Sequence, residues 1–249
     1  MRNAWTIARR EYAAYFNSPL AYTIGFVILL VLGIFFGLNI AYFTLNATLV
    51  YGGSPDAGVV TGPFAFMLVL SVPALTMGLF ADERRLGTME LLMTAPVRDW
   101  ALVLGKWLGS LLFMLTVIGI TLVFPLTATV LVEPGIDWGQ FATSYLGIVL
   151  VAAAFLSLGT GISALFINQI AAFFATLISF VFLWWLVRFP AQILPTGAGV
   201  FHYLDMSVHF YNSLNVGVIQ LSDIVYYLSL IALGFFIGTL GLETWRQRT

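Results

Sequence analysis

Six long apolar blocks, each bounded by short polar or Gly/Pro-rich stretches, dominate the pattern of this chain. They cover residues 21–43, 63–80, 102–131, 141–166, 170–187 and 223–242. A helix rises about 1.5 Å per residue, so about twenty apolar residues match a hydrocarbon layer roughly 30 Å thick. The apolar residues come in blocks and do not alternate, which argues against a membrane β-barrel. The pattern predicts an all-α polytopic membrane protein of six transmembrane helices, a single domain over 1–249. Ahead of the first block, residues 1–18 are amphipathic. Trp5, Ala8, Tyr12, Tyr15 and Phe16 gather on one side of a helix, with Arg2, Arg9 and Arg10 largely on the other, as in a helix lying in the membrane interface. Asn17-Ser18-Pro19 then offers a capping serine and a proline at the next helix's first position.

Between the second and third blocks the pattern inverts. The loop 82–101 and the start of the third block hold Asp82, Glu83, Arg84, Arg85, Glu90, Arg98, Asp99 and Lys106. Inside it, Met89–Ala95 reads as a short helix: Thr88 suits the N-cap, Glu90 suits the first turn, and Pro96 ends it. Its rod of roughly 10 Å is far too short to cross a bilayer. Leu86, Met89, Leu92 and Met93 form one apolar face, opposite Glu90 and Thr94. Two readings follow from these residues: a peg for another protein's groove, or a loop lying flat on lipid.

Charge then sets an orientation. The chain is 61% hydrophobic and only 8% charged, so each basic residue counts. With the N-terminus in the cytosol, Arg2, Arg9, Arg10, Arg84, Arg85, Arg98, Lys106, Arg246 and Arg248 all fall inside, and only Arg188 outside, as the positive-inside rule requires. Both termini and the 82–101 loop are then cytosolic, and 188–222 is external. Trp5, Arg9, Arg10, Trp100, Lys106, Trp107 and Trp245 are expected to anchor the membrane interface, Lys106 by reaching up to the headgroups. No cleavable leader is expected, because Arg2, Arg9, Arg10 and Glu11 interrupt the first twenty residues.

The chemistry of the chain is sparse. A net charge of −1 without a basic cluster argues against nucleic acid as a partner, and the absence of cysteine excludes disulfides and thiolate metal sites. No GxxxxGK[ST] occurs, and no predicted span has a charge near its middle, so neither an internal nucleotide site nor an ion-coupled motor is expected. The chain is read as a non-enzyme without a cofactor of its own. His202, Asp205, Met206 and His209 fall at i, i+3, i+4 and i+7, one face of a helix. Two imidazoles with a carboxylate suit zinc and, with a thioether, copper. An apolar stripe of Phe201, Leu204, Val208 and Tyr211 explains the same pattern as an amphipathic helix, and no metal is expected. The pairs Gly33/Gly37, Gly105/Gly109 and Gly234/Gly238 have the spacing of close helix packing.

The run Glu83-Arg84-Arg85-Leu86-Gly87-Thr88-Met89-Glu90-Leu91-Leu92, then Thr94-Ala95-Pro96 and Leu104-Gly105-Lys106, resembles ABC-2-type transporter permeases. Tyr12 to Tyr22 is similar to that family's elbow helix and the approach to its first span. Residues 190–221 and the start of the last block look like its external re-entrant hairpin and final span, nearest the gliding-motility and nitrous-oxide-reductase-maturation branches. The resemblance implies a permease subunit working beside a second, identical or different, subunit in the cell's inner membrane. It also implies an ABC ATP-binding partner that holds ATP and magnesium, and usually outward transport. It makes the 82–101 loop the carrier of a coupling helix that docks on the ATPase. Arg85, Gly87, Thr88, Met89, Glu90, Leu91, Leu92, Met93 and Pro96 are then the docking residues, with Arg85 and Glu90 as polar contacts and Leu91, Leu92 and Met93 in the groove. The gliding branch leaves one alternative, a membrane anchor for an ATPase that drives a surface machine.

Overall fold

The computed structural model describes residues 2–45, 58–87, 89, 97–131, 136–193 and 198–247. Among these the chain is helical and contains no strand. In order the helices are α1 (Arg2–Tyr15), α2 (Pro19–Leu45), α3 (Gly58–Thr76), α4 (Gly78–Arg85), α5 (Asp99–Thr121), α6 (Val123–Leu131), α7 (Trp138–Ser163) and α8 (Gln169–Val181). A π-helical turn at Phe182–Leu186 leads to α9 (Arg188–Ile193), α10 (Ala198–Leu204), α11 (Met206–Tyr211) and α12 (Leu221–Arg246). Six stretches are long and apolar enough to cross a membrane: Pro19–Tyr42, Gly58–Arg85, Asp99–Leu131, Trp138–Ser163, Gln169–Pro190 and Leu221–Arg246. The protein is an all-α, six-helix membrane protein.

α7 is the hub, and its composition explains why. Its most apolar window is 83% buried, against 11% for the first span. Gly147, Ala152, Ala154, Ser157, Gly159, Thr160 and Gly161 leave little side-chain bulk on it, so α3 and α12 come in close. Ser157 Oγ donates to the Ile231 carbonyl of α12 at 2.7 Å. On α7's other side, Phe155 stacks on Phe180 with ring centroids 4.1 Å apart, and the π-helical turn beyond brings Trp184 into the same core. α2, by contrast, turns Phe26, Leu30, Ile34 and Leu38 outward, as a lipid-facing helix should.

Two spans read from sequence as single helices are broken, and each break is repaired by a side chain. Pro125 has no N–H to give the Thr121 carbonyl, and the helix gives way at Leu122. The Tyr145 hydroxyl of α7 donates to that carbonyl at 3.1 Å. The second span breaks at Met77, after Pro73. Ser163 Oγ there donates to the Met77 carbonyl at 3.1 Å and accepts from the Phe80 N–H at 3.2 Å. Away from water such groups must find partners within the protein.

α1 packs through part of the face expected, Ala8, Tyr12 and Tyr15, together with Ala4. Ala4, Ala8 and Tyr15 are buried, while Trp5 is 58% exposed and Phe16 is exposed too. The cause lies in α5. A Cβ on Gly105 would stand 2.7 Å from Ile7 Cβ, and one on Gly109 2.6 Å from Glu11 Cβ. The bare glycine surface lets the small alanine edge of α1 approach backbone to backbone, while Tyr15 stacks on Phe113 further along.

Candidate functional site

The segment 82–106 was singled out by its charge, and its two stems converge. α4 carries Glu83 into one side of the loop and α5 carries Lys106 away from the other. α1 lies across both. Lys106 Nζ is 2.9 Å from Glu83 Oε1 and 3.2 Å from Glu11 Oε1, with its side chain 2% exposed. Arg10 Nη2 adds a contact to Glu11 at 2.9 Å and one to Glu83 at 3.6 Å. The ring of Phe80 closes the ammonium's apolar side at 5.1 Å. Lys106 is therefore not an interface anchor. The Gly105/Gly109 approach brings Glu11 down onto it, and a buried ammonium between two carboxylates has no reason to reach for headgroups. Trp107 is corrected likewise: its indole N–H donates to the Ala153 carbonyl at 2.9 Å and its ring meets Phe235 edge-on, inside the helix packing.

Glu11 records the balance of this cluster. Burial pushes its carboxyl up, but Lys106 and Arg10 more than offset that and hold it below the ordinary 4.5. A carboxylate with a depressed folded value stabilises the fold above its unfolded value, and that contribution disappears as pH falls through the folded one. Glu11→Gln is therefore expected to lower the thermal midpoint of the detergent-solubilised chain at pH 7 by roughly 3–8 °C. The gap from the parent should close as the pH drops below 4.5. A gap constant from pH 7 to 3 would refute the pairing.

A second set of contacts ties the same stems to the last helix. Arg246 of α12 pairs with Asp99, the first residue of α5, at 2.8 Å. Arg84 of α4 points its Nη2 at the Gly241 carbonyl at 3.4 Å and lays its guanidinium over the Trp245 ring at 4.5 Å. Trp245 is thus half-buried packing for Arg84, and Arg10 is held by carboxylates. Trp100, Trp5 and Arg9 do face outward from the helices.

Of the docking residues, three are described. Arg85 is exposed and holds Asp82 one turn back at 3.4 Å. Gly87 takes a positive φ of 71°, the left-handed turn that reverses a helix end and that glycine adopts without strain. Met89 is 4% exposed and belongs to the chain's own core, so it is not available to a partner's groove. Thr88, Glu90, Leu91, Leu92, Met93 and Pro96, and with them the predicted 89–95 helix, lie outside the described residues.

At the opposite end of the bundle, the expected face of His202, Asp205, Met206 and His209 does not form. The helix stops at Leu204, and Asp205 caps α11, accepting from the Ser207 N–H at 3.0 Å and pairing with Arg188 at 3.2 Å. Met206 is fully buried. His209 turns inward, with Nδ1 2.7 Å from Asp223 of α12, Nε2 2.8 Å from the Tyr203 carbonyl, and its ring stacked on Tyr226. His202 stays on the rim of a cleft of about 550 Å³ that Tyr203, His209 and Asp223 also line. Among the described residues no three His, Asp or Glu side chains lie together as a metal would need. The capping carboxylate breaks the spacing, and both ring nitrogens of His209 are already engaged.

The residues the sequence reading passed over are Glu11, Glu83 and Arg84. Glu11 was visible only as a charge on an amphipathic helix, 95 positions from its lysine. Comparison with known families gives a match over residues 6–215 to the family described as ABC-2 family transporter protein. No curated protein gives a significant match.

Proposed function

The chain belongs to the ABC-2 family of transporter proteins, and from that premise we propose that it is the membrane-embedded permease half of an ATP-driven exporter. A separate subunit supplies ATP and magnesium and does the hydrolysis; this chain performs no chemistry. Two six-helix subunits enclose the pathway, and the 82–101 loop, in the cytosol, takes the push. The observation that carries this reading is the double anchorage of that loop. Its outgoing stem is tied to α1 through Glu83 and its incoming stem through Lys106, while Asp99 and Arg84 tie both stems to α12. A displacement of the loop is thereby delivered to helices at both ends of the chain as a rigid-body movement and is not absorbed locally. The described basic residues agree with a cytosolic loop: Arg10, Arg84, Arg85, Lys106 and Arg246 gather at the loop's end of the bundle, and Arg188 lies at the other.

The test is reconstitution of the chain with its ATP-binding subunit in sealed vesicles. ATP-dependent movement of solute is expected, and the Glu90→Lys/Leu92→Asp variant should weaken subunit association at least tenfold, the order expected for two lost interface contacts. Association and turnover unchanged in that variant would end the docking assignment. A tight, hydrolysing complex that moves no solute across a panel of candidates would identify the chain as the anchor of an ATPase-driven machine.

A further inference from the structure

Among the described residues, four Arg, Lys or Asp side chains are buried: Arg84, Lys106, Asp205 and Asp223. Three are matched. Lys106 has Glu11 and Glu83, Asp205 has Arg188, and Asp223 has His209. Arg84 alone faces no carboxylate. It is 8% exposed, its single hydrogen bond is the long one to the Gly241 carbonyl, and Nε and Nη1 have no acceptor at all. A guanidinium carries five donors and cannot shed its charge, so burying it with most of them unused is costly. What covers it is the indole of Trp245, on the last turn of α12, itself partly buried. An aromatic face satisfies a cation only in part and can swing aside.

We propose that Arg84 is a receptor for a carboxylate side chain of the ATP-binding subunit, covered by Trp245 in the free chain and completed when that subunit docks. The inference rests on the function proposed above and adds to it a named contact on the permease. The place supports this occupant over others. Arg84 lies at the end of α4, three residues before the left-handed Gly87 turn that starts the loop. It is buried against α12, so a lipid phosphate in the plane of the headgroups is a poor fit. Its neighbour Arg85 points outward and holds Asp82, whereas Arg84 is buried with Nε and Nη1 unused. Exchange of the indole for a carboxylate replaces a cation–π contact by charge-assisted hydrogen bonds, the stronger interaction.

The experiment measures two quantities on Arg84→Met and Trp245→Ala: the thermal midpoint of the free permease, and its affinity for the purified ATP-binding subunit in nanodiscs of zwitterionic lipid. For Arg84→Met the midpoint should hold or rise, since an unpaired buried charge is gone, while affinity falls at least about tenfold. Trp245→Ala, which uncovers the arginine, should bind as tightly as the parent or tighter. If Arg84 is only an internal clamp, Arg84→Met lowers the midpoint and leaves affinity unchanged, and the proposal is overturned. Weakened binding by Trp245→Ala overturns it as well, even where Arg84→Met does not fold. An Arg84→Met defect seen only when anionic lipid is added assigns the site to a lipid phosphate and also overturns it. If the parent chain itself fails to bind the subunit, the function proposed above falls too; if the parent binds and Arg84→Met binds equally, only the receptor fails.

Discussion

Gly234→Leu is expected to abolish the native packing of α12 on α7, lowering the thermal midpoint by at least roughly 6–12 °C, equivalent to about 3 kcal/mol or more in a chain of this size. The reason is what the new side chain would meet. A Cβ at position 234 would stand 2.6 Å from the Ser157 carbonyl oxygen and closer still to its carbonyl carbon, while Gly161 presses on the Gly234 carbonyl from the facing helix. These neighbours are backbone, so no rotamer change makes room, and the two helices must part. Parting them also breaks the Ser157–Ile231 bond, leaving the Ser157 hydroxyl without its acceptor where water does not enter. The same substitution at Gly37, with nothing within 4 Å, should shift the midpoint by no more than about 1–2 °C. Thermal unfolding of both variants in one detergent makes the comparison. Equal shifts would mean that α7 and α12 do not cross where these glycines meet.

The two glycine substitutions also mark how far the sequence could be read. Six helices were legible because hydrophobic length needs no tertiary information: about twenty apolar residues imply a crossing wherever they pack. Gly33/Gly37 and Gly234/Gly238 had the same spacing, however, and only the partner distinguishes them. A Cβ on Gly33 would only reach ordinary contact with Phe124 at 3.7 Å, whereas Gly234 carries a helix crossing. The α1 face was legible only in part, for a related reason: Ala8, Tyr12 and Tyr15 pack, but Trp5 and Phe16 stay exposed. Periodicity ranks aromatic residues as the side to bury, but a glycine-lined partner selects the smallest side, Ala4 and Ala8. At His202–His209 the spacing argument assumed an unbroken helix. Asp205, followed two residues later by Ser207, is a recognisable capping pattern that signals the break. The docking role proposed for residues 88–96 rests on family resemblance alone, since a short amphipathic peg and a loop resting on lipid share one pattern.

Lys106 was the most consequential misreading, and it yields the second large effect. Lys106→Met is expected to destabilise the chain by about 3–5 kcal/mol, because it leaves Glu11 and Glu83 facing each other, largely buried, with only the exposed Arg10 between them. Methionine fills nearly the same volume, so the loss measures charge and not a cavity. The compensated variant Lys106→Met/Glu11→Gln/Glu83→Gln should recover most of that stability, since removing a buried ion set entirely costs far less than orphaning part of it. Recovery of stability need not restore function, and that difference separates scaffold from lever. The compensated variant keeps α1, α4 and α5 packed through Gly105 and Gly109 but lacks the charge-assisted bonds that make the loop's stems move together. In reconstituted vesicles it is expected to bind the ATP-binding subunit with parental affinity and still transport several-fold less per ATP hydrolysed. If the compensated variant transports at the parental ratio, packing alone transmits the stroke and the ion cluster is only structural. If Lys106→Met is as stable as the parent, the lysine does not lie between the two carboxylates.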